Sequence, residues 1–230
     1  MALVLIGCQK SGKDIANYNV EKGNEALSIK DYSRAAQFFN RSLDQEPTQA
    51  NARLGLTQVW LNLALDSDSG NAKFLDSAYI QVALWKRTLE LSAKSLADDK
   101  QNILFYNQVH LNYARYLFFD GLYSRALDVI NQTIKVESDS AQHLEYLQLS
   151  SFVYFSKSED SIALDMGRKL IDIYPEFEPA YLDVGKMYWQ VANYEEALVV
   201  WSVGQEKFPE NEELSYWTLE AMDKTGWLDD

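Results

Sequence analysis

The side chains that could take part in catalysis or metal binding are few and lie far apart along the chain. The two histidines, His110 and His143, have no third histidine near them, and the single cysteine, Cys8, is not at a metal-binding spacing from either. Adjacent acids such as Glu195 and Glu196 would point about 100° apart on a helix, so they could not share a proton. No serine lies in a nucleophile-elbow pattern. The sequence therefore predicts a protein that is not an enzyme and has no metal site and no cofactor.

Cys8 follows a short apolar run and precedes a polar segment, which is the setting of a lipid attachment site. Leu5-Ile6-Gly7-Cys8 resembles the bacterial lipobox, in which the cysteine is acylated and becomes the first residue after cleavage. The small Gly7 suits the peptidase, and the polar stretch from Gln9 suits a tether. A basic segment is missing and the apolar run is short, so we expect that the sequence starts too late or has been trimmed.

The same region fits a second pattern, because Gly7, Gly12 and Lys13 have the spacing of a phosphate-binding loop. Such a loop would bind the phosphates of a nucleotide through its backbone amides. However, Asp14 stands where the loop needs a serine or threonine for magnesium, and no alternation of strands and helices follows. A third alternative is a frayed start of a cytoplasmic protein. We favour the lipid anchor among these three.

Composition and charge limit the classes of partner. The 230 residues carry a net charge of −13, which argues against nucleic acid because its phosphates require a basic surface. Acids are most frequent in residues 172–230, where they predict either a solubilising cap or a surface for a basic partner. No apolar run reaches the roughly eighteen residues that a membrane-spanning helix needs.

The stretch from Glu178 to Pro209 carries large and small residues in a distinctive order. Its large side chains are Tyr181, Tyr188 and Trp201, and its small residues are Gly185, Ala197 and Gly204. This order resembles the tetratricopeptide repeat (TPR), a pair of antiparallel helices about 34 residues long. Small residues allow the two helices to approach closely, and aromatic side chains fill the space around that contact. Pro209 cannot continue the second helix.

Two further stretches carry the same kinds of residue in register. The equivalents are Gly23, Ala35, Phe39 and Pro47 in one copy, and Ala114, Ala126 and Ile130 in the other. One repeat cannot bury its apolar face alone, so neighbouring repeats are required. The resemblance therefore implies an all-α fold, a right-handed α-solenoid (superhelix) of TPR helix pairs.

The pattern also predicts how the chain is divided. We expect a partial lipoprotein signal at 1–8, a tether at 9–16 and the solenoid at 17–230. The predicted repeats span about 16–49, 50–98, 107–140, 141–177 and 178–211, and a capping helix covers 212–224. The repeat at 50–98 is irregular, with an inserted turn and a long second helix predicted from 74 to 96. The repeat at 141–177 is shifted, because Gly167 stands where an aromatic residue belongs and the small residue is Ala163.

The resemblance implies where a partner binds, because TPR proteins bind extended peptides or helices in a concave groove lined by the first helix of each pair. Carboxamides can bind a peptide backbone, and aromatic side chains can hold apolar ones. The predicted groove residues are Asn17, Asn24, Asn51, Gln58, Asn62, Gln108, Arg115, Phe118, Phe119, Lys186, Trp189 and Gln190. The family variant that clamps a C-terminal carboxylate is not expected, because Val20 and Gly55 replace its lysine and second asparagine.

Together these expectations describe a protein-protein interaction scaffold, lipid-anchored through Cys8 in the bacterial envelope and facing the periplasm. Gln9 after the cysteine implies sorting to the outer membrane. The combination resembles the TPR lipoproteins of pilus and secretion systems, so the expected partners are other envelope proteins. Two alternatives stay open: an adaptor for outer-membrane β-barrel assembly or peptidoglycan hydrolases, and a cytoplasmic nucleotide-binding protein that uses residues 7–13.

Overall fold

The computed structural model describes residues 11–66, 72–96, 99–133 and 141–227, which form helices joined by turns, with no strand among them. In chain order, the helices of these residues are α1 (Gly12–Ser28), α2 (Tyr32–Gln45), α3 (Ala50–Asp66), α4 (Ala72–Leu91), α5 (Lys100–Phe119), α6 (Tyr123–Ile130), α7 (Ala141–Ser156), α8 (Asp160–Ile173), α9 (Glu178–Gln190), α10 (Tyr194–Lys207) and α11 (Glu212–Thr225). The prediction of an all-α fold is confirmed for the part of the chain that is described.

The chain divides into two compact units, Met1–Tyr113 and Ala114–Asp230, with the boundary inside α5. In the first unit, α1 packs on α2, α3 packs on α4, and both α1 and α2 contact α3. In the second unit, α7 packs on α8, α9 on α10 and α10 on α11, while α8 contacts α9. Within each unit, helices that follow one another in sequence are neighbours in space, as expected for helix-pair repeats.

The alanines predicted at the contacts between paired helices are completely buried. They are Ala35 in α2, Ala126 in α6, Ala163 in α8 and Ala197 in α10. In the shifted repeat, Gly167 of α8 lies against Val184 of α9, so a valine side chain fills the space beside this glycine. The burial of these alanines agrees with the predicted register of the helix pairs.

Phe39 is the centre of the first helix pair. Its ring lies between Gly23 of α1 and Gly55 of α3, and a β-carbon at either glycine would overlap the ring. The side chain of Phe39 is completely buried, in a cluster that includes Leu56 and Val59. Three helices therefore meet at one aromatic ring because two of them present no side chain to it.

The first helix begins earlier than predicted. Residues 12–16 belong to α1, so the prediction of a tether through residue 16 is wrong for this part. Ser11 caps the helix: its side chain accepts a hydrogen bond from the Asp14 N–H, and the Asp14 carboxylate accepts one from the Ser11 N–H. Ala16 is completely buried, and its carbonyl accepts a hydrogen bond from the Ser42 hydroxyl at 2.9 Å. The capping box and this contact extend the helix toward the amino terminus.

The fourth helix ends earlier than predicted, at Leu91 instead of residue 96. Ala93 adopts a left-handed conformation with φ of 53°, and the Lys94 N–H donates to the Leu89 carbonyl at 3.0 Å. This hydrogen bond closes the end of the helix in the manner of a C-terminal cap. A left-handed alanine is not marked by residue type, which is why the apolar pattern alone overestimated the helix.

The turns within four helix pairs share one backbone feature. Each has a left-handed residue immediately before the first residue that caps the second helix. These residues are Lys30 (φ 59°), Gly121 (φ 76°), Ser158 (φ 60°) and Ala192 (φ 59°). The caps that follow in the first and last of these pairs, Asp31 and Asn193, accept hydrogen bonds from backbone N–H groups of the second helix. The repeats thus keep the same turn although only one of them uses glycine.

Candidate protein-binding groove

The predicted groove residues of the first unit lie on first helices of the pairs. Asn17, Asn24 and Asn51 are exposed on α1 and α3, while Gln58 and Asn62 are partly buried on α3. Because α1 contacts α3, these carboxamides belong to adjoining helices. The Asn17 side-chain oxygen accepts a hydrogen bond from Gln49, with 2.8 Å between Oδ1 and Nε2.

Gln108 is the remaining predicted groove residue of the first unit. Its side chain is exposed on α5, and its backbone carbonyl accepts a hydrogen bond from the side-chain amide of Asn112 at 2.8 Å. Gln108 is therefore an exposed position of α5 that does not line the cleft described next.

In the second unit, α5 and α7 form a cleft with a volume of about 290 Å³. The cleft is lined by Arg115, Phe118, Phe119, Glu145, Gln148, Leu149 and Phe152. Phe118 stacks on Phe152 with 6.3 Å between ring centroids, and it contacts the edge of Phe119 at 5.4 Å. Phe119 is 79% exposed, although it is one of the most apolar side chains in the protein. Three predicted groove residues, Arg115, Phe118 and Phe119, thus line one cleft, which we call the aromatic cleft.

A charged pair lies at the aromatic cleft. The guanidinium of Arg115 contacts Glu145 across α5 and α7, with 2.5 Å between Nη2 and Oε1. Burial raises the pKa of Glu145, and the nearby Arg115 charge opposes that rise. Arg115 is therefore already paired with Glu145 and is not an unpaired cation available to an acidic ligand.

Two further contacts continue this pattern toward the carboxyl terminus. Gln148 donates a hydrogen bond to Asp183, with 3.2 Å between Nε2 and Oδ2, and Lys186 contacts Glu213, with 2.6 Å between Nζ and Oε1. The contacts link α7 to α9 and α9 to α11. We call the whole set the polar row, and its members are Arg115, Glu145, Gln148, Asp183, Lys186 and Glu213.

The three carboxylates of the polar row have different environments. The hydrogen bond from Lys186 lowers the pKa of Glu213. Burial raises the pKa of Asp183, and this rise is opposed by the hydrogen bond from Gln148 and by the Lys186 charge. Asp183 is thus partly removed from water without a cation in contact with it.

Trp189 and Gln190 are the last two predicted groove residues, and neither belongs to the polar row. The Trp189 ring packs in an aromatic cluster, with ring centroids 4.8 Å from Tyr194, 5.8 Å from Trp201 and 5.8 Å from Trp217. Trp189 is partly buried, whereas Gln190 is exposed. Trp189 therefore contributes mainly to packing at the end of α9, and the predicted groove aromatic that remains largely exposed is Phe119.

Both histidines pack against neighbouring aromatic side chains. His110 is completely buried, its Nδ1 donates to the Tyr106 carbonyl at 2.8 Å, and burial lowers its pKa to about 4. His143 lies 2.9 Å from the Tyr174 hydroxyl through its Nδ1. Among the described residues, no group of three or more histidines, cysteines or acids is arranged to hold a metal ion.

The amino-terminal predictions fall partly beyond what is described. Cys8 and Gly7 lie outside the described residues, so neither the lipid anchor nor the start of the phosphate loop has a structural counterpart here. Gly12 and Lys13 begin α1. The Ser11 N–H, which a bound phosphate would need, already donates a hydrogen bond to the Asp14 carboxylate. Within the described ranges, no helix is long and apolar enough to cross a membrane.

Sequence reasoning missed the residues that α7 contributes. The shifted register of the fourth repeat left this helix without predicted groove residues. Glu145, Gln148, Leu149 and Phe152 nevertheless have the spacing of one helix face, with separations of three, four and seven residues. Their facing position on the first helix of a pair was the signal that could have identified them.

Comparison with solved structures confirms the fold. The MamA protein aligns with a TM-score of 0.60 at 16% identity, covering 84% of this chain and 92% of MamA. YrrB, described as a TPR protein with an unusual peptide-binding site, aligns with a TM-score of 0.59 at 14% identity, covering 87% of this chain and 90% of YrrB. A second MamA structure gives a TM-score of 0.57 at 17% identity, covering 82% and 95%. The chain has the tetratricopeptide-repeat fold.

Sequence comparison adds no closer relationship. No family model matches the chain, and a search of curated proteins found no match. The resemblance to TPR proteins therefore rests on the fold, on the buried small residues and on the repeated turns.

Proposed function

We propose that this protein is a non-enzymatic scaffold that binds a segment of another protein across the first helices of its second unit. The observation that carries the proposal is Phe119, a phenylalanine 79% exposed at a cleft whose other walls are aromatic and polar. An aromatic side chain in a cleft with a polar rim is the usual centre of a protein interface. The peptide-binding site described for YrrB, which shares the fold, supports this kind of function.

The size of the aromatic cleft favours a protein partner over a small substrate. Its volume of about 290 Å³ is at the lower limit of the range of about 300–1,000 Å³ that is typical of small-molecule sites. One large side chain fills such a space, while the rest of a bound segment lies along the polar row. The carboxamide of Gln148 borders the cleft and suits a peptide backbone, since it can both donate and accept.

The experiment compares two exposed apolar residues. Phe119→Ser should abolish recovery of the partner by cross-linking in cells, followed by affinity purification and quantitative mass spectrometry. Ile29→Ser is the matched control, because Ile29 is 72% exposed at the end of α1 and belongs to the first unit. Both variants should keep the wild-type melting temperature, because neither side chain is part of a core. Equal recovery of the same partners by wild type and both variants would exclude the aromatic cleft as the binding site.

We propose further that the scaffold is lipid-anchored through Cys8 in the bacterial envelope, faces the periplasm and assists assembly of a pilus or secretion complex. The support for the anchor is the sequence Leu5-Ile6-Gly7-Cys8, and the support for the assembly role is the combination of such an anchor with TPR repeats.

The anchor is tested by metabolic labelling with an alkynyl palmitate, using the gene expressed from its natural start. Wild type should incorporate the label and fractionate with membranes, and Cys8→Ser should do neither. Ser11→Ala controls for a general effect of changes near the amino terminus and should be labelled normally. An unlabelled wild-type protein, or a labelled Cys8→Ser variant, would contradict the anchor.

A further inference from the structure

The charges of the polar row do not balance within the chain. Two of its carboxylates have a cation in contact, since Glu145 pairs with Arg115 and Glu213 pairs with Lys186. The third, Asp183, is hydrogen-bonded to the neutral amide of Gln148. None of the ion pairs in the described parts of the chain includes it. The row therefore carries one excess negative charge, and that charge is located at Asp183.

The position of Asp183 makes this imbalance costly in the free protein. Its side chain is partly buried on α9, and burial raises its pKa, whereas a carboxylate open to water would keep its ordinary value. Removing a charge from water without a counter-charge destabilises the folded state. A cation supplied from outside would remove that cost and would gain a charge-assisted hydrogen bond.

Asp183 also adjoins the aromatic cleft. Gln148 lines the cleft and, through its Nε2, contacts the Oδ2 of Asp183 at 3.2 Å. Within the described residues, Oδ2 accepts this one hydrogen bond and Oδ1 accepts none, so the carboxylate keeps acceptor capacity. An apolar binding surface and a carboxylate with no cation in direct contact are therefore separated by a single amide group.

We infer that the segment bound by this protein carries a large apolar side chain for the aromatic cleft and a nearby lysine or arginine for Asp183. The inference rests on the proposed function and adds the chemistry of the partner to it. An acidic partner segment is disfavoured, because Arg115 and Lys186 are already paired and the whole chain carries a net charge of −13. A purely apolar segment would bury Asp183 further and still leave it without a cation in direct contact.

The test uses libraries of short synthetic peptides and the purified protein. One library has a fixed phenylalanine and a fixed lysine at varied separation, with the other positions randomised. In matched libraries, norleucine or glutamate replaces the lysine, or alanine replaces the phenylalanine. Binding is measured by fluorescence anisotropy at low and at physiological ionic strength, because a charge contact weakens with salt.

Wild type should bind the phenylalanine–lysine library about tenfold more tightly than the norleucine library, and the glutamate library least. Asp183→Asn keeps an oxygen that can accept from Gln148, so it should retain the fold and bind the lysine and norleucine libraries equally. Asp165→Asn is the control, because Asp165 is an exposed carboxylate on α8 whose contact is the surface pair with Lys169. It should keep the wild-type preference for lysine.

The outcomes separate this inference from the function on which it rests. Binding that is lost in Phe119→Ser but indifferent to lysine, norleucine or glutamate would overturn the inference and leave the function standing. A large fall in melting temperature for Asp183→Asn would also overturn it, because Asp183 would then be a structural residue. Failure of every library to bind would contradict the proposed function itself.

Discussion

The indole ring of Trp201 in α10 lies directly against Gly185 in α9, too close to leave room for a β-carbon. Trp201 is completely buried and stacks on Trp217 with 5.2 Å between ring centroids, so the ring cannot move aside. The absence of a side chain at Gly185 therefore sets how closely the last helix pair closes.

Gly185→Ala should destabilise the protein by about 2 kcal/mol through overpacking against Trp201. The measurement is urea unfolding followed by circular dichroism. Gly12→Ala is the control, because a β-carbon there meets its nearest neighbour, the Gln45 carbonyl, at an ordinary 3.7 Å. That variant should be neutral or slightly stabilising, since alanine is the better helix former. Equal free energies of unfolding for the two variants would mean that the packing of Trp201 is looser than described.

Substitutions in the repeated turns should change stability in opposite directions. Ala192→Gly removes the strain of a left-handed alanine, but glycine also raises the conformational entropy of the unfolded chain, which opposes folding. The net effect should be a stabilisation of about 0.5 kcal/mol. Gly121→Ala introduces the same backbone strain and should destabilise the protein by about 1 kcal/mol. Strain is the whole of this cost, because no atom lies within 4 Å of the added carbon to clash with it. Both changes are read from the urea midpoint. A stabilising Gly121→Ala would contradict the shared turn conformation.

The repeat fold could be predicted from the sequence because its requirements are steric and local. A helix contact that admits only a small residue leaves glycine or alanine at a fixed distance from an aromatic residue, as at Gly185 and Trp201. A left-handed turn that is not built on glycine could not be predicted in the same way, because its residue type does not mark the conformation. Ala93 ends α4 in a left-handed turn, and nothing in the type of this residue marks that turn.

The candidate site could be predicted only in part. Arg115, Phe118 and Phe119 were identified because they occupy family positions on α5, and the aromatic cleft brings them together. The contact between Gln148 and Asp183 depends on how α7 and α9 are placed, and a difference of 35 positions in sequence carries no sign of it. Long-range polar pairs of this kind require the three-dimensional structure.

Ser11→Ala tests whether α1 begins where the capping box places it. Loss of the hydroxyl removes the hydrogen bond that the Asp14 N–H donates to Ser11 and should destabilise the helix by about 1 kcal/mol. Hydrogen exchange of the backbone amides at the start of α1 should become faster, while exchange in α9 stays unchanged. Unchanged exchange near Asp14 would show that the cap does not hold this end of the helix.

His110 should make the stability of the protein depend on pH. Burial lowers its pKa from 6.5 to about 4, so the folded state holds the neutral ring while the unfolded chain binds a proton below about pH 6.5. The contribution of His110 is therefore fully present above pH 6.5 and is lost as the pH falls toward 4. The full loss corresponds to about 3 kcal/mol, at 1.36 kcal/mol for each unit of pKa.

The effect of His110 is isolated by comparing wild type with His110→Phe. A phenyl ring can keep the contacts with Tyr79 and Tyr106, whose ring centroids lie 5.1 and 4.0 Å from that of His110. Other titrating groups act equally on both proteins, so the difference between the two free energies of unfolding reports His110 alone. Between pH 7 and pH 4, that difference should shift by about 3 kcal/mol in favour of His110→Phe. Parallel curves over this range would show that water reaches the ring, because a hydrated histidine keeps its ordinary pKa and adds no such dependence.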